Sequence, residues 1–169
     1  MHDDGMAGRL PAMDARAPWL VRLTSPVHFI ATLAMAMPVQ RLLALPVPDG
    51  GAAAAMQLAG GLVAAAGLLL ALACFALFAR RRTTILPGGH PSGLVLRGPY
   101  RFTRNPMYVA LVLSYCGLAA HLLTPWAIAL LPLPLLALQR VVIPFEEARL
   151  HARFGRDYAR YCARVPRWL

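Results

Sequence analysis

The sequence predicts an all-α membrane protein with about four transmembrane helices, a cytoplasmic loop and a C-terminal amphipathic helix. Three observations support this prediction. Of the 169 residues, 59% are hydrophobic and only 14% are charged, which is too apolar for an ordinary soluble domain. The apolar residues form four runs close to or above the roughly 20 residues that a helix needs to cross a bilayer. The basic residues, all of them arginine, cluster at the ends of these runs.

The four apolar runs span residues 27–45, 52–79, 106–123 and 125–143. The first run is the weakest because it contains Pro38 and Arg41, so its end must kink, lie at the interface or face protein. Prolines and glycines at 46–51 predict a turn between the first two runs. Thr124 and Pro125 make the link between the last two runs so short that we expect an antiparallel hairpin.

The arginines also predict the orientation in the membrane. With the N-terminus inside, every arginine except Arg41 lies on the inner side. The positive-inside rule then places both termini and the loop 80–104 in the cytoplasm. We expect a cytosolic lead-in over residues 1–25, a transmembrane domain over 26–143 and a cytoplasmic tail over 144–169. The expected location is a bacterial inner membrane, with the lipid bilayer as a partner.

Charge, cysteines and histidines argue against other classes. The formal charge of +10 raises the question of nucleic acid binding, but the arginines follow the membrane pattern, so no nucleic acid is expected. The three cysteines have no paired spacing that would suggest a disulfide framework or a zinc site, and they are expected to be small buried hydrophobes. The histidines are scattered, and Glu147 with His151 is more often a surface contact, so no metal is expected.

The tail predicts a basic amphipathic helix, because apolar and basic residues each recur every three or four positions. The apolar stripe comprises Leu150, Phe154, Tyr158, Tyr161 and Val165, and the basic stripe comprises Arg149, Arg153, Arg156, Arg160 and Arg164. Glu146 and Glu147 stand at its start, after Pro144. Such acids can complement the dipole at a helix start, or they can bind something cationic at the membrane surface, and the sequence leaves both interpretations open.

The loop before the third run carries the most specific motif, LVLRGPYRFTRNPMY at residues 94–108. Gly98 favours a positive φ or a close approach of the backbone to a ligand. Asn105 favours a helix N-cap, and Pro106 favours the first helical position. The same residues fit plain turn chemistry, while the arginines and tyrosines of the motif also fit membrane anchoring and the interfacial aromatic belt.

Together with the tail, this motif resembles the integral-membrane methyltransferases of the isoprenylcysteine carboxyl methyltransferase and phospholipid methyltransferase superfamily. The resemblance covers about residues 86–165 and includes LV-x-x-GPY-x-x-x-RNP-x-Y, a helical hairpin and EE-x-x-L-x-x-x-FG-x-x-Y-x-x-Y-x-x-x-V. Asn105 stands where many relatives carry a histidine. The resemblance implies a methyltransferase that depends on S-adenosyl-L-methionine and releases S-adenosyl-L-homocysteine.

The resemblance also implies a cofactor pocket between the loop, the start of the third helix and the tail. The residues implied to bind the cofactor are His90, Leu94, Val95, Gly98, Tyr100, Arg104, Asn105, Pro106, Tyr108, Glu146 and Glu147. The candidate catalytic residues are Glu147, Asn105 and Arg104. An amine or thiol acceptor must lose a proton, and Glu147 is the predicted base, with Glu146 on the cofactor. The acceptor, a lipophilic or small thiol, carboxylate or phospholipid amine, is not selected by the sequence.

Two other functions stay open at this point. A membrane reductase that uses NADPH is plausible, because sterol-reductase families resemble the same architecture and arginines can hold a 2′-phosphate. A non-enzymatic adaptor would use the basic tail to gather anionic lipid. A Rossmann-type domain is excluded, because no glycine fingerprint follows a strand. In the fourth run, Pro132 and Pro134 predict either a packing kink or a lateral opening for a lipophilic acceptor.

Overall fold

The computed structural model describes residues 25–81, 94 and 96–169. Regular secondary structure in these ranges is helical throughout, which confirms the all-α prediction. We number the helices α1 (Ser25–Leu42), α2 (Gly50–Arg81), α3 (Pro106–His121), α4 (Pro125–Leu130), α5 (Pro132–Ala137) and α6 (Ile143–Cys162). A 3₁₀ turn, Gly98–Arg101, precedes α3, and a π-helical turn, Leu138–Val142, joins α5 to α6.

The helical segments follow the four predicted runs, but they differ as membrane spans. Two stretches are long and apolar enough to cross a membrane by length and composition, Gly50–Arg80 and Pro125–Cys162. The third run forms a shorter apolar helix, Pro106–His121. Leucines such as Leu62 and Leu69 of α2 are exposed, as expected of side chains that face hydrocarbon. The division into lead-in, membrane domain and tail stays a prediction.

The connection between α1 and α2 lies where the prolines and glycines predicted it, with one difference at its end. Pro38 lies inside α1, and the helix stops four residues later at Leu42. The chain is then non-helical until Gly50, which has φ +51° and begins α2. The prediction that the turn reaches residue 51 is therefore wrong, because Gly50 and Gly51 already belong to the second helix.

Helices α2 and α3 pack as an antiparallel pair with their backbones in contact. A Cβ atom added to Gly117 would lie 2.3 Å from the backbone nitrogen of Ala64, and one added to Gly67 would lie 2.5 Å from the Ser114 hydroxyl. A Cβ atom added to Gly60 would lie 2.7 Å from the backbone carbonyl oxygen of Gly117. Small residues at such a crossing let helices approach closely, and they fix α2 against the helix that begins the candidate site.

The tight link between the third and fourth runs is confirmed. Leu123 adopts φ +49°, and the amide of Thr124 donates to the carbonyl of Ala119 at 2.9 Å. Across this turn, the Tyr115 hydroxyl donates to the carbonyl of Ala127 at 2.7 Å. The bond satisfies a buried hydroxyl and holds α3 against α4.

The fourth run is a broken helix. It stops at Leu130, resumes at Pro132 and passes into the π-helical turn after Ala137. Proline lacks an amide hydrogen and clashes with the preceding turn, so Pro132 and Pro134 interrupt the regular hydrogen bonding. The interruption lies at the predicted prolines, whereas a kink and its use as an entrance for an acceptor stay predictions.

The tail differs from its prediction in two respects. The amide of Ile143 donates to the carbonyl of Leu138, so α6 continues from the π-helical turn and does not begin as a separate helix at Pro144. Gly155 has φ +49° and ψ −119°, so α6 contains a break. The predicted apolar stripe is confirmed: Tyr158, Tyr161 and Val165 are buried, with Leu150 and Phe154 packed against them.

Candidate functional site

The loop motif and the adjacent glutamates of α6 meet in one group of side chains, which we call the polar cluster: Arg104, Tyr108, Glu146, Glu147 and Arg167. The Tyr108 hydroxyl donates to Oε2 of Glu146 at 2.9 Å across a separation of 38 positions in the chain. Nη1 of Arg104 lies 3.1 Å from Oε1 of Glu147. The two motifs that carry the resemblance are therefore in direct contact.

Glu147 is the centre of the charged part of the polar cluster. Arg167 binds it with two nitrogens, Nε to Oε1 at 3.2 Å and Nη2 to Oε2. The side chains of Glu147 and Arg104 are only 16% and 17% exposed. An ion pair in which one guanidinium group binds both oxygens of a partly buried carboxylate is stronger than an ordinary surface pair. The Glu147 carboxylate thus complements two guanidinium groups, and it does not stand at a free helix end.

Glu146 lies beyond the apolar part of the fourth run and is mostly buried from water. Burial raises its pKa to about 7, even though the hydrogen bond from Tyr108 and the charge of Arg149 lower the pKa. The neighbouring Glu147 carboxylate raises it further by like-charge repulsion. Glu146 therefore changes its charge near neutral pH.

Arg104 has a second partner and one buried nitrogen without a partner. Its Nη1 donates to Sγ of Cys162 at 2.9 Å. Its Nε is buried and makes no hydrogen bond to any group in the part of the chain that the structure describes. A buried donor without an acceptor is costly, so this nitrogen is available for one.

Cys162, predicted as a small hydrophobe, instead accepts a hydrogen bond at the site, whereas Cys74 is buried as predicted.

Asn105 occupies the predicted N-cap position of α3, but its side chain does not cap the helix. Its Nδ2 donates instead to the carbonyl of Arg167 at 3.0 Å. The prediction of side-chain capping is wrong: the Asn105 side chain instead donates from Nδ2 to a distant segment, and it accepts no hydrogen bond from a helix amide. In the sequence, Arg167 is one of the arginines expected on the inner side, and no motif sets it apart. Pro166, which ends the regular spacing of the tail, was the one local signal that Arg167 leaves the helix.

The remaining loop residues frame the polar cluster. Gly98 has φ +61°, as predicted, and opens the 3₁₀ turn. The ring of Tyr100 meets Phe78 of α2 edge-on at 5.5 Å, and its carbonyl accepts a hydrogen bond from the Tyr161 hydroxyl at 2.8 Å. Leu94 packs against the buried tyrosines of the tail. The turn is thereby held between α2 and α6.

Some predicted site residues are elsewhere or cannot be placed. His90 and Val95 lie outside the described residues. Pro106 is buried and begins α3, as predicted. The ring of His151 lies edge-on to Tyr158 at 4.9 Å. Within the described ranges, no group of three or more His, Cys, Asp or Glu side chains is placed to hold a metal ion.

The fold and the polar cluster define a helical membrane protein with a charged site where the loop meets the tail. The family model of phospholipid methyltransferase matches residues 55–157, which is more than half of the chain, so the chain belongs to this family. The match begins inside α2, upstream of the motifs that suggested the resemblance. No curated protein and no solved structure matches the chain. Membership points to methyl transfer by a membrane-associated enzyme.

Proposed function

We propose that this protein transfers a methyl group from S-adenosyl-L-methionine to a lipophilic or small acceptor at the cytoplasmic face of the membrane. The acceptor is a thiol, a carboxylate or a phospholipid amine. The observation that carries the proposal is the contact between the two motifs, in which Tyr108 binds Glu146 and Arg104 binds Glu147. Family membership adds the class of reaction.

The chemistry of the polar cluster fits the methionine part of the cofactor, which bears an ammonium and a carboxylate group. Glu146 offers a partly buried carboxylate to the ammonium, and the unpartnered Nε of Arg104 offers a donor to the carboxylate. Tyr100 and Tyr108 offer aromatic rings to the adenine or to the sulfonium cation. These four residues are the ones we propose to hold the cofactor.

When bound, the cofactor supplies a methyl group made electrophilic by the sulfonium. The protein's part is then to orient the two reactants and exclude water. The sequence predicts that Glu147 removes a proton from the acceptor, but two guanidinium groups already bind its carboxylate oxygens. We therefore propose that Glu147 orients Arg104. A thiolate or carboxylate acceptor requires no base in the transfer step.

The route of a lipophilic acceptor is proposed to pass the broken fourth run. Pro132 and the π-helical turn Leu138–Val142 lie in the chain between α4 and the glutamates of α6. Helix irregularities of this kind recur at functional sites, because they move side chains away from a regular spacing. The cytoplasmic face follows from the predicted arginine asymmetry.

Calorimetry on the purified protein in detergent tests the proposal. We expect binding of S-adenosyl-L-methionine and S-adenosyl-L-homocysteine, and no appreciable binding of reduced nicotinamide nucleotides. Radiolabelled cofactor, offered with phospholipid amines, thiols or carboxylates in separate reactions, then identifies the acceptor class. Binding of NADPH in place of adenosylhomocysteine would overturn the proposal in favour of a reductase. Binding of neither nucleotide would leave a lipid-binding adaptor as the better function.

A further inference from the structure

The Pro166–Arg167 segment is fastened by three consecutive loop residues. The Thr103 hydroxyl and the Asn105 side-chain amide both donate to the carbonyl of Arg167, each at 3.0 Å. Between them, the backbone amide of Arg104 donates to the carbonyl of Pro166 at 2.9 Å. The three bonds hold the backbone of this segment against the loop at the start of α3.

Burial shows that these contacts belong to the folded core of the site. Thr103 is only 3% exposed, so its hydroxyl hydrogen would lose its acceptor if the segment moved away, although the hydroxyl oxygen also accepts from the amide of Asn105. On the other side, Trp168 packs against the main apolar cluster of the helices. An apolar anchor and partly buried hydrogen bonds thus flank Arg167.

The Arg167 side chain points back to the polar cluster. Its guanidinium group binds both oxygens of Glu147, and the Arg104 guanidinium group shares Oε1 of the same carboxylate. A two-point contact fixes the plane of a carboxylate, which a single contact cannot do. The orientation of Glu147, and through it that of Arg104, therefore depends on Arg167.

We propose that Arg167 is a positioning residue of the methyltransferase site, which fastens the Pro166–Trp168 segment and holds Glu147 and Arg104 in the orientation that binds the cofactor. This inference rests on the proposed function. Arg167 acts here through Glu147, and Arg104 is the residue that meets the cofactor carboxylate. The main consequence is a dependence of cofactor affinity on a residue outside both recognised motifs.

The test compares three variants of the full chain in detergent by calorimetry with adenosylhomocysteine. Arg167→Gln removes the charge and is expected to weaken binding by about tenfold or more. Arg167→Lys keeps the charge but loses the fork, so it is expected to recover part of the affinity. Arg164→Gln removes the same charge from an exposed position of the tail and is expected to bind like the parent.

A second measurement separates this inference from the proposed function. Hydrogen exchange of the peptide covering residues 102–106 reports the bond from Arg104 to Pro166 without any cofactor. Faster exchange there in Arg167→Gln, with parent-like exchange in Arg164→Gln, supports the fastening role even if the parent binds no nucleotide and the proposed function fails. Unchanged exchange in that case overturns the inference.

Where the parent does bind, parent-like affinity in Arg167→Gln overturns the inference. An equal loss in Arg167→Gln and Arg164→Gln also overturns it, because the effect would then be one of total charge. If Arg167→Gln does not fold in detergent, Arg167→Lys takes its place in both measurements. Parent-like affinity in the folded Arg167→Lys variant counts against a role for the two-point contact between Arg167 and Glu147.

Discussion

The Tyr108 hydroxyl donates to Oε2 of Glu146 at 2.9 Å and so joins the start of α3 to the start of α6. A hydroxyl donor stabilises the charged form of a carboxyl group, which offsets part of the effect of burial on Glu146. The bond therefore has two roles: it ties the loop motif to the tail, and it keeps an acid in a mostly buried place able to ionise near neutral pH.

Replacing Glu146 by Gln is expected to weaken adenosylhomocysteine binding by about 10- to 150-fold, because a charge-assisted hydrogen bond contributes roughly 1.5–3 kcal/mol. Gln keeps the shape and removes the charge. Glu147→Gln is expected to weaken binding as well, because Arg104 loses the partner that orients it. Calorimetry in detergent measures both changes.

Arg160→Gln is the control for the glutamate variants, since Arg160 is exposed and pairs with Asp157 on the outer face of α6. It should leave nucleotide affinity unchanged. If the glutamates served only a helix start, each substitution would cost about 0.3–1 kcal/mol of stability and no affinity. Parent-like affinity in both glutamate variants, with unchanged thermal melts, would remove the pair from the site.

Nucleotide affinity is expected to rise as the pH increases through about 7, where Glu146 gains its negative charge. The sign follows from the proposed contact, since only the ionised carboxylate pairs with an ammonium group. Tyr108→Phe removes a donor that favours the ionised form, so the midpoint should move to higher pH. Calorimetry across this range checks the shift, and Glu146→Gln should abolish the step. A midpoint that moves downward in Tyr108→Phe would contradict the assignment.

Cysteine labelling tests the orientation predicted from the arginines. With the native cysteines replaced, single cysteines at Arg81 and Arg156 should react only with reagent that reaches the cytoplasmic side, and one at Asp49 should react from outside. Asp49 lies in the connection before α2, and Arg156 is exposed on α6. Labelling of positions 81 and 156 from opposite sides would contradict the arrangement of spans.

Gly117→Ala is expected to destabilise the fold by about 1–3 kcal/mol, because an added methyl group meets the Ala64 backbone and forces α2 away from α3. Thermal unfolding in detergent measures the change. Gly51→Ala is the matched control, since nothing lies within 4 Å of a Cβ atom at Gly51. Equal melting temperatures for the two variants would mean that the helices tolerate a wider crossing.

The sequence by itself determined the helical runs, the interruption of the fourth run at its prolines, the tight turn before Pro125 and the apolar stripe of the tail. Each depends on residues within one continuous stretch of the sequence: hydropathy over a membrane length, the missing amide hydrogen of proline, and the helical repeat. The same local signals misjudged the start of α2 and the side chain of Asn105. A Gly-Gly pair can end a turn or begin a helix, and an Asn side chain before a helix can cap it or bind a distant segment.

Only the tertiary structure decided which partners the site residues take. Three contacts depend on how the helices cross. Glu147 binds Arg104 and Arg167, and Asn105 donates to the carbonyl of Arg167. Gly117 lies against the backbone of Ala64. The type of a charged or small residue does not show whether its side chain faces lipid, water or another helix. Its partner is set by packing between segments far apart in the chain, because buried charges must be paired wherever the backbone brings them together.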